Sequence, residues 1–277
     1  MAYNAIVPRR HGDVINGENG LQYVPNVESA LAVSAGQSNV SVRKLSSAPL
    51  HPLGSTAHIG DKSYRYVRFG TAFGGGGYLA RTDDPTRSSL ENISLIQTSV
   101  AAGETVIPIV GQGSGTSDLT NQNFAGGYML TNDGAGEGYA YQVLAHDDLD
   151  ISTTNTAKLT LMEPLVEGLA TGSEVTMVLS PYWDVESTDT GDADEVLVGV
   201  TCNATSVGDF GWVQFRGPAA VYTSGTLVQG DHVRAGGASG AVRAFPSTAE
   251  TKQSQIVGTV MVNRATTEFS LVWLTLG

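Results

Sequence analysis

The stretch Ser63-Tyr64-Arg65-Tyr66-Val67-Arg68-Phe69 decides the fold class. It is aromatic, β-branched and alternating, with arginines between, and a period of two is that of a strand with one face buried. The four glycines at 74–77 that follow read as a flexible turn. Beyond them the same pattern repeats. Residues 104–110 (ETVIPIV) read as a strand, and Pro108, which cannot donate to a ladder, marks it as an edge or a bulge. Residues 128–131 and 139–145, joined through Asn132-Asp133-Gly134, read as a hairpin. Residues 158–162 and 175–179 add two strands. After the break at Pro181-Tyr182-Trp183, alternation returns at 196–201, 211–215, 219–222, 232–235, 256–262 and 269–276. Short strands at regular spacing, with Gly-rich turns between them, predict barrels or sandwiches. The helical candidates are short, at 27–34 and 85–90.

Toward the N-terminus the pattern weakens. Residues 1–60 are rich in Gly, Pro, Asn and Ser, and only 40–45 (VSVRKL) alternates like a strand. The expectation is an all-β chain with very little helix. An extended N-terminal arm covers 1–60, a first β domain 61–180 and a C-terminal β domain 181–277, each domain a small β-barrel or β-sandwich module. Composition agrees. Of the 277 residues 41% are hydrophobic, enough for a core, and 34 are Gly. Only 15% are charged, against about 25% in ordinary globular domains.

The formal net charge is -12. Binding to nucleic acid by counterion release needs clustered Lys and Arg, so nucleic acid is not an expected partner, and neither is an anionic membrane surface. The charge is uneven along the chain. Residues 1–90 hold nine Lys/Arg and six Asp/Glu, net +3; residues 91–277 hold six and 21, net -15. A basic arm on an acidic body suits an arm that reaches over an acidic neighbour. Its apolar anchors would be Ile6, Val7, Leu21, Tyr23 and Val24, with Arg9, Arg10, Arg43 and Lys44 steering it.

Chemistry-bearing patterns are sparse. Cys202 is the single cysteine, in a strand-like run, and reads as a small buried hydrophobe; no intrachain disulfide can form. The five histidines (His11, His51, His58, His146 and His232) are scattered, without metal-ligand spacing. Asp147-Asp148-Leu149-Asp150 and 189–195 (DTGDADE) gather oxygen donors without an EF-hand register and read as solvated acidic turns. Gly111-Gln112-Gly113-Ser114-Gly115 has the wrong spacing for a dinucleotide loop, and there is no Walker A run or nucleophile elbow. No cofactor or metal is expected, and enzyme activity is not expected. No segment has the ~18 consecutive apolar residues of a membrane span. Residues 1–10 lack the hydrophobic run of a signal peptide, so synthesis in a cytoplasm is expected.

Three blocks carry a resemblance. The first is Phe124-Ala125-Gly126-Gly127-Tyr128 with Asp133-Gly134-Ala135-Gly136-Glu137-Gly138-Tyr139. The second is Gly211-Trp212-Val213-Gln214-Phe215-Arg216-Gly217-Pro218-Ala219-Ala220-Val221. The third is Val257-Gly258-Thr259-Val260 with Val272-Trp273-Leu274-Thr275-Leu276. Together, over roughly residues 60–277, they resemble the capsid decoration (cement) proteins encoded beside the major capsid protein of tailed bacteriophages. The second block is the most specific. The resemblance implies a structural virion protein, made in the host bacterial cytoplasm, that binds the outer capsid surface. Its partners would be the major capsid protein and itself, as a homotrimer at threefold positions. Two alternatives stand beside it. A fibre or head-spike protein that binds host carbohydrate would need an exposed aromatic platform, for which Trp183 and Trp212 are candidates. A β-rich hydrolase would need paired carboxylates in a cleft.

Overall fold

A computed structural model describes residues 14–17, 20–23, 41–83, 90–115, 119–120, 122–188, 196–245 and 255–276. Among them the chain is all-β, without an α-helix, and its curled sheets include a half-barrel. The helical candidate at 27–34 and all of the candidate at 85–90 except Leu90 lie outside the described residues.

The chain forms two compact units. One, here the body unit, contains residues 1–83 and 184–277; the other, the inserted unit, contains 84–183. This corrects the linear division at residues 60 and 180. The body unit is discontinuous because strands on either side of the insertion pair with each other. Strand β3 (Thr56–Ile59) pairs with β4 (Lys62–Arg68). β4 in turn runs along β13 (Phe210–Tyr222), from Arg68↔Phe210 to Ser63↔Arg216. β5 (Leu79–Arg81) pairs with β12 (Leu197–Thr201) and with the short β11 (Glu186–Ser187). The sheet continues from β13 through β17 (Phe269–Thr275), β16 (Gly258–Val260) and β14 (His232–Ala235) to β15 (Val242–Ala244). A separate hairpin joins β1 (Val14–Gly17) and β2 (Gly20–Tyr23).

β13 is the pivot of this sheet. Residues 211–215 and 219–222, expected as two strands, form one of 13 residues. β4 runs along one edge from Phe210 to Arg216, while along the other edge β12 pairs with Val213 and Gln214 and β17 takes over from Arg216 onward. The register shifts between Gln214 and Arg216, and Gly217 follows in the left-handed region with φ +83°. A bulge and a left-handed glycine turn a strand sharply, so the edge can change partners without a break in the chain. Pro218 has no N–H to donate, but Gln214 Nε2 donates to both Arg216 O (3.1 Å) and Pro218 O (2.9 Å), which holds the turn.

The expected arm, 1–60, is corrected over its last third; most of residues 1–40 lie outside the described residues. Residues 41–59 are part of the body. Ser46 bridges Phe210 in both directions (3.0 and 2.7 Å). The Leu50 N–H donates to Tyr66 Oη (3.1 Å). Val42 and Leu53 pack on a cluster of Ala57, Tyr64, Tyr66, Phe210 and Trp212. Residues 41–45 form a turn, closed by Lys44 N–H donating to Ser41 O (2.8 Å), in place of the expected strand.

The inserted unit is a five-stranded antiparallel sheet. It comprises β6 (Val106–Val110), β7 (Tyr128–Asp133), β8 (Ala140–His146), β9 (Thr156–Leu161) and β10 (Glu174–Val178), in the order β10-β7-β8-β9-β6. The β7–β8 hairpin is present. β6, with Pro108, is an edge strand, as the missing N–H requires. Its core is separate from that of the body and includes Ile107, Ile109, Phe124, Met129, Tyr141, Leu159 and Met177.

Candidate interaction face

β17 alternates in a way that exposes large apolar groups. Ser270, Val272 and Leu274 are buried, while Phe269, Leu271 and Trp273 (40% exposed) face outward. Residues paired across an antiparallel ladder share a face. On one side Phe269 pairs with Tyr222, Leu271 with Ala220 and Trp273 with Pro218. On the other, Trp273 pairs with Thr259, and the N–H of exposed Met261 donates to Leu271 O (2.8 Å). The result is a continuous apolar row across three strands. Tyr78 extends it, with ring centroids 5.3 Å from Tyr222 and 6.0 Å from Phe269.

Two cations edge this row. Exposed Arg216 pairs with Thr275 at one end, and Arg264 Nε donates to Phe269 O (3.2 Å) at the other. Neither is paired with a carboxylate among the described residues, unlike Arg68, which pairs with Asp184, and Arg81, which pairs with Glu186.

The glycine run 74–77 secures the border of the face. The Gly77 N–H donates to Thr201 O (2.8 Å), and the Tyr222 N–H donates to Gly77 O (2.8 Å). Thr201 Oγ1 donates to Gly75 O (2.9 Å). Gly77 has φ +93°, and a Cβ there would lie 2.6 Å from the Phe269 ring; one on Gly76 would lie 2.9 Å from Cys202 O. The expected flexible turn is a strap that must approach the sheet closely.

Beside the strap is a cleft of about 390 Å³, lined by Arg43, Lys62, Tyr64, Gly76, Cys202 and Gln214 among others. Burial, reinforced by the neighbouring Cys202, pushes the Tyr64 phenol up to about 12 against the opposing pull of Arg43. Burial likewise pushes the Cys202 thiol up to about 12. A thiol kept neutral is a weak nucleophile; Cys202, expected as a buried group, is half-buried and packs on the edge of the Tyr64–Tyr66–Trp212 cluster. Both groups hold protons in the fold that an unfolded chain releases, from about pH 9 for the thiol and about pH 10 for the phenol. Their contribution to stability is complete below about pH 9 and is lost as pH rises toward about 12. The urea midpoint should therefore fall over that window, and Cys202→Ala should make the fall shallower. A midpoint indifferent to pH there would show that neither group is held neutral.

The remaining candidates have definite places. Arg43 and Lys44 are exposed, and Asn203 Nδ2 donates to the Arg43 carbonyl. Leu21 and Tyr23 belong to β2, opposite Asn16 and Val14. Ile6, Val7, Arg9, Arg10 and Val24 lie outside the described residues. Of the aromatic candidates, Trp212 is 2% exposed and so forms no platform, while Trp183 is half-buried against the inserted unit's core. Trp273, Phe269 and Tyr222 do form one, and the sequence reading missed them. His146 is buried, its Nε2 accepting from Phe124 N–H (3.2 Å) and its Nδ1 2.9 Å from Asp147 O. Asp147 accepts from Lys158 N–H (3.1 Å) and Asp150 from Ser152 N–H (2.9 Å), so these carboxylates bond to nearby backbone. The stretch 189–195 lies outside the described residues. No His, Cys, Asp and Glu among the described residues are grouped to hold a metal ion. Comparison of the chain with protein families, curated proteins and solved structures finds no match.

Proposed function

We propose that this chain is a structural protein of a tailed-phage virion that binds the outer surface of the capsid and cements contacts between major capsid protein subunits. The observation that best supports the reading is the apolar row of Tyr222, Phe269, Leu271 and Trp273, with Arg216 and Arg264 at its ends and no carboxylate paired with either among the described residues. An apolar centre with a charged rim is the anatomy of a protein–protein interface. The exposed Arg43 and Lys44 offer a second contact, suited to an acidic shell surface. Several weak contacts held in one oligomer bind a repetitive shell at high effective concentration.

Co-sedimentation with empty shells assembled from a tailed-phage major capsid protein tests this. Saturable binding is expected, and the double variant Arg43→Glu/Lys44→Glu should weaken it by about tenfold or more while leaving the melting temperature unchanged. Absence of binding by the unaltered protein would remove the cement reading. The same aromatic row favours a second reading, a fibre or head-spike protein that stacks host sugars on Tyr78, Tyr222, Phe269 and Trp273. Glycan-array binding lost in Phe269→Ala would support that reading.

A further inference from the structure

The uneven charge along the chain follows its division into units. The inserted unit holds 12 Asp/Glu and two Lys/Arg, net -10; the rest of the chain holds 15 and 13, net -2. Nearly all the excess negative charge therefore belongs to 100 inserted residues. That unit also has an exposed apolar patch of its own. Leu144 stands out at a bulge where β8 passes β9, and Tyr128 pairs with Gln142 two residues before it. The N–H of Met162 (52% exposed) donates to Gln142 O (2.8 Å), and the N–H of exposed Val166 donates to Tyr141 Oη (3.0 Å). Tyr128, Leu144, Met162 and Val166 thus gather around the middle of β8. Exposed Glu163 and Glu167 directly follow Met162 and Val166.

The two exposed apolar surfaces are similar in kind and opposite in rim charge. One is edged by Arg216 and Arg264, with Glu268 the acid beside it in sequence; the other is edged by Glu163 and Glu167 in a unit of net -10. We propose that they bind each other between copies: the Tyr128–Leu144–Met162 patch of one copy docks on the Phe269–Leu271–Trp273 row of the next. This rests on the reading of the protein as an assembly component and names the occupant of its interaction face. Row against row would bring like-charged arginines together, and patch against patch would oppose two strongly acidic units. Head-to-tail docking is the arrangement in which rim charges attract. Such a heterologous contact propagates from copy to copy and closes into a ring where the rotation allows. A ring would present several copies of Arg43 and Lys44 to a shell at once.

Sedimentation velocity of the full chain tests the contact without any shell. The unaltered protein should form a defined oligomer that dissociates as salt is raised. Trp273→Asp and Met162→Asp alter exposed residues on opposite partners, so each should yield folded monomer with an unchanged melting temperature. An equimolar mixture of the two variants should yield a dimer, because one intact row and one intact patch remain between them. A chain that stays monomeric at about 100 µM, a concentration at which even weak specific contacts are populated, would overturn the proposal. So would a variant that keeps the native mass, or a variant mixture that stays monomeric. Shell co-sedimentation is scored separately. An oligomer that ignores shells leaves this contact standing and removes the capsid reading; a monomer that binds shells does the reverse.

Discussion

Gly217→Ala is expected to leave the body unit unable to hold its native sheet, at a cost above about 4 kcal/mol, the range reserved for severe steric or core defects. Two effects add. Gly217 has φ +83°, which costs a residue with a Cβ roughly 1–2 kcal/mol. That Cβ would also lie 2.1 Å from Asp61 O and 2.9 Å from Asp61 C, and these are backbone atoms. Asp61 lies between β3 and β4, so relief would require moving the β3–β4 connection away from β13. Gly138→Ala separates the two effects. Gly138 has φ +85° but nothing within 4 Å of its Cβ position, so it should cost only the conformational part. Thermal melts of both variants by circular dichroism make the comparison. A Gly217→Ala protein that melts with Gly138→Ala would show that the pivot of β13 tolerates a side chain.

Period two made most strands legible, because alternation is local and the strands of the inserted unit bury one face each. Pairing was not legible, because no local pattern says that β4 lies beside a strand almost 150 residues later. The glycines at 76 and 77 read as freedom where the fold needs absence of bulk. A run of four glycines has no side chains to distinguish these two cases. Trp273 was missed for a different reason. In FSLVWLT both faces are largely apolar, and such a run reads as a strand buried on both sides. An antiparallel strand apolar on both faces was the available signal that one face awaits a partner. The charge split near residue 90 was real in the sequence and misplaced in space. It followed the start of the insertion at 84, and counting to the C-terminus merged the acidic unit with the returning body strands.

Trp212→Ala is the other large expected effect, about 3–5 kcal/mol, as for a fully buried aromatic. The indole meets the rings of Tyr66 at 5.1 Å and His51 at 5.4 Å, and its cluster carries Val42 and Leu53 from the segment before β3. Its removal therefore opens a cavity and takes away part of the apolar support under residues 42–53, which would keep their backbone bonds at Ser46 and Leu50. Those residues include Arg43 and Lys44, so the same substitution should weaken shell binding as well as stability. The contrast with Trp273→Ala is what makes the result informative. Trp273 is 40% exposed and borders no enclosed core, so its loss should cost under about 1 kcal/mol, and self-association should fall instead. Equal losses of stability in the two variants would mean that Trp273 is packed as core, and the face assigned to docking would then be interior. A large loss in Trp212→Ala beside a small one in Trp273→Ala would separate the tryptophan that builds the sheet from the one left free to meet a partner.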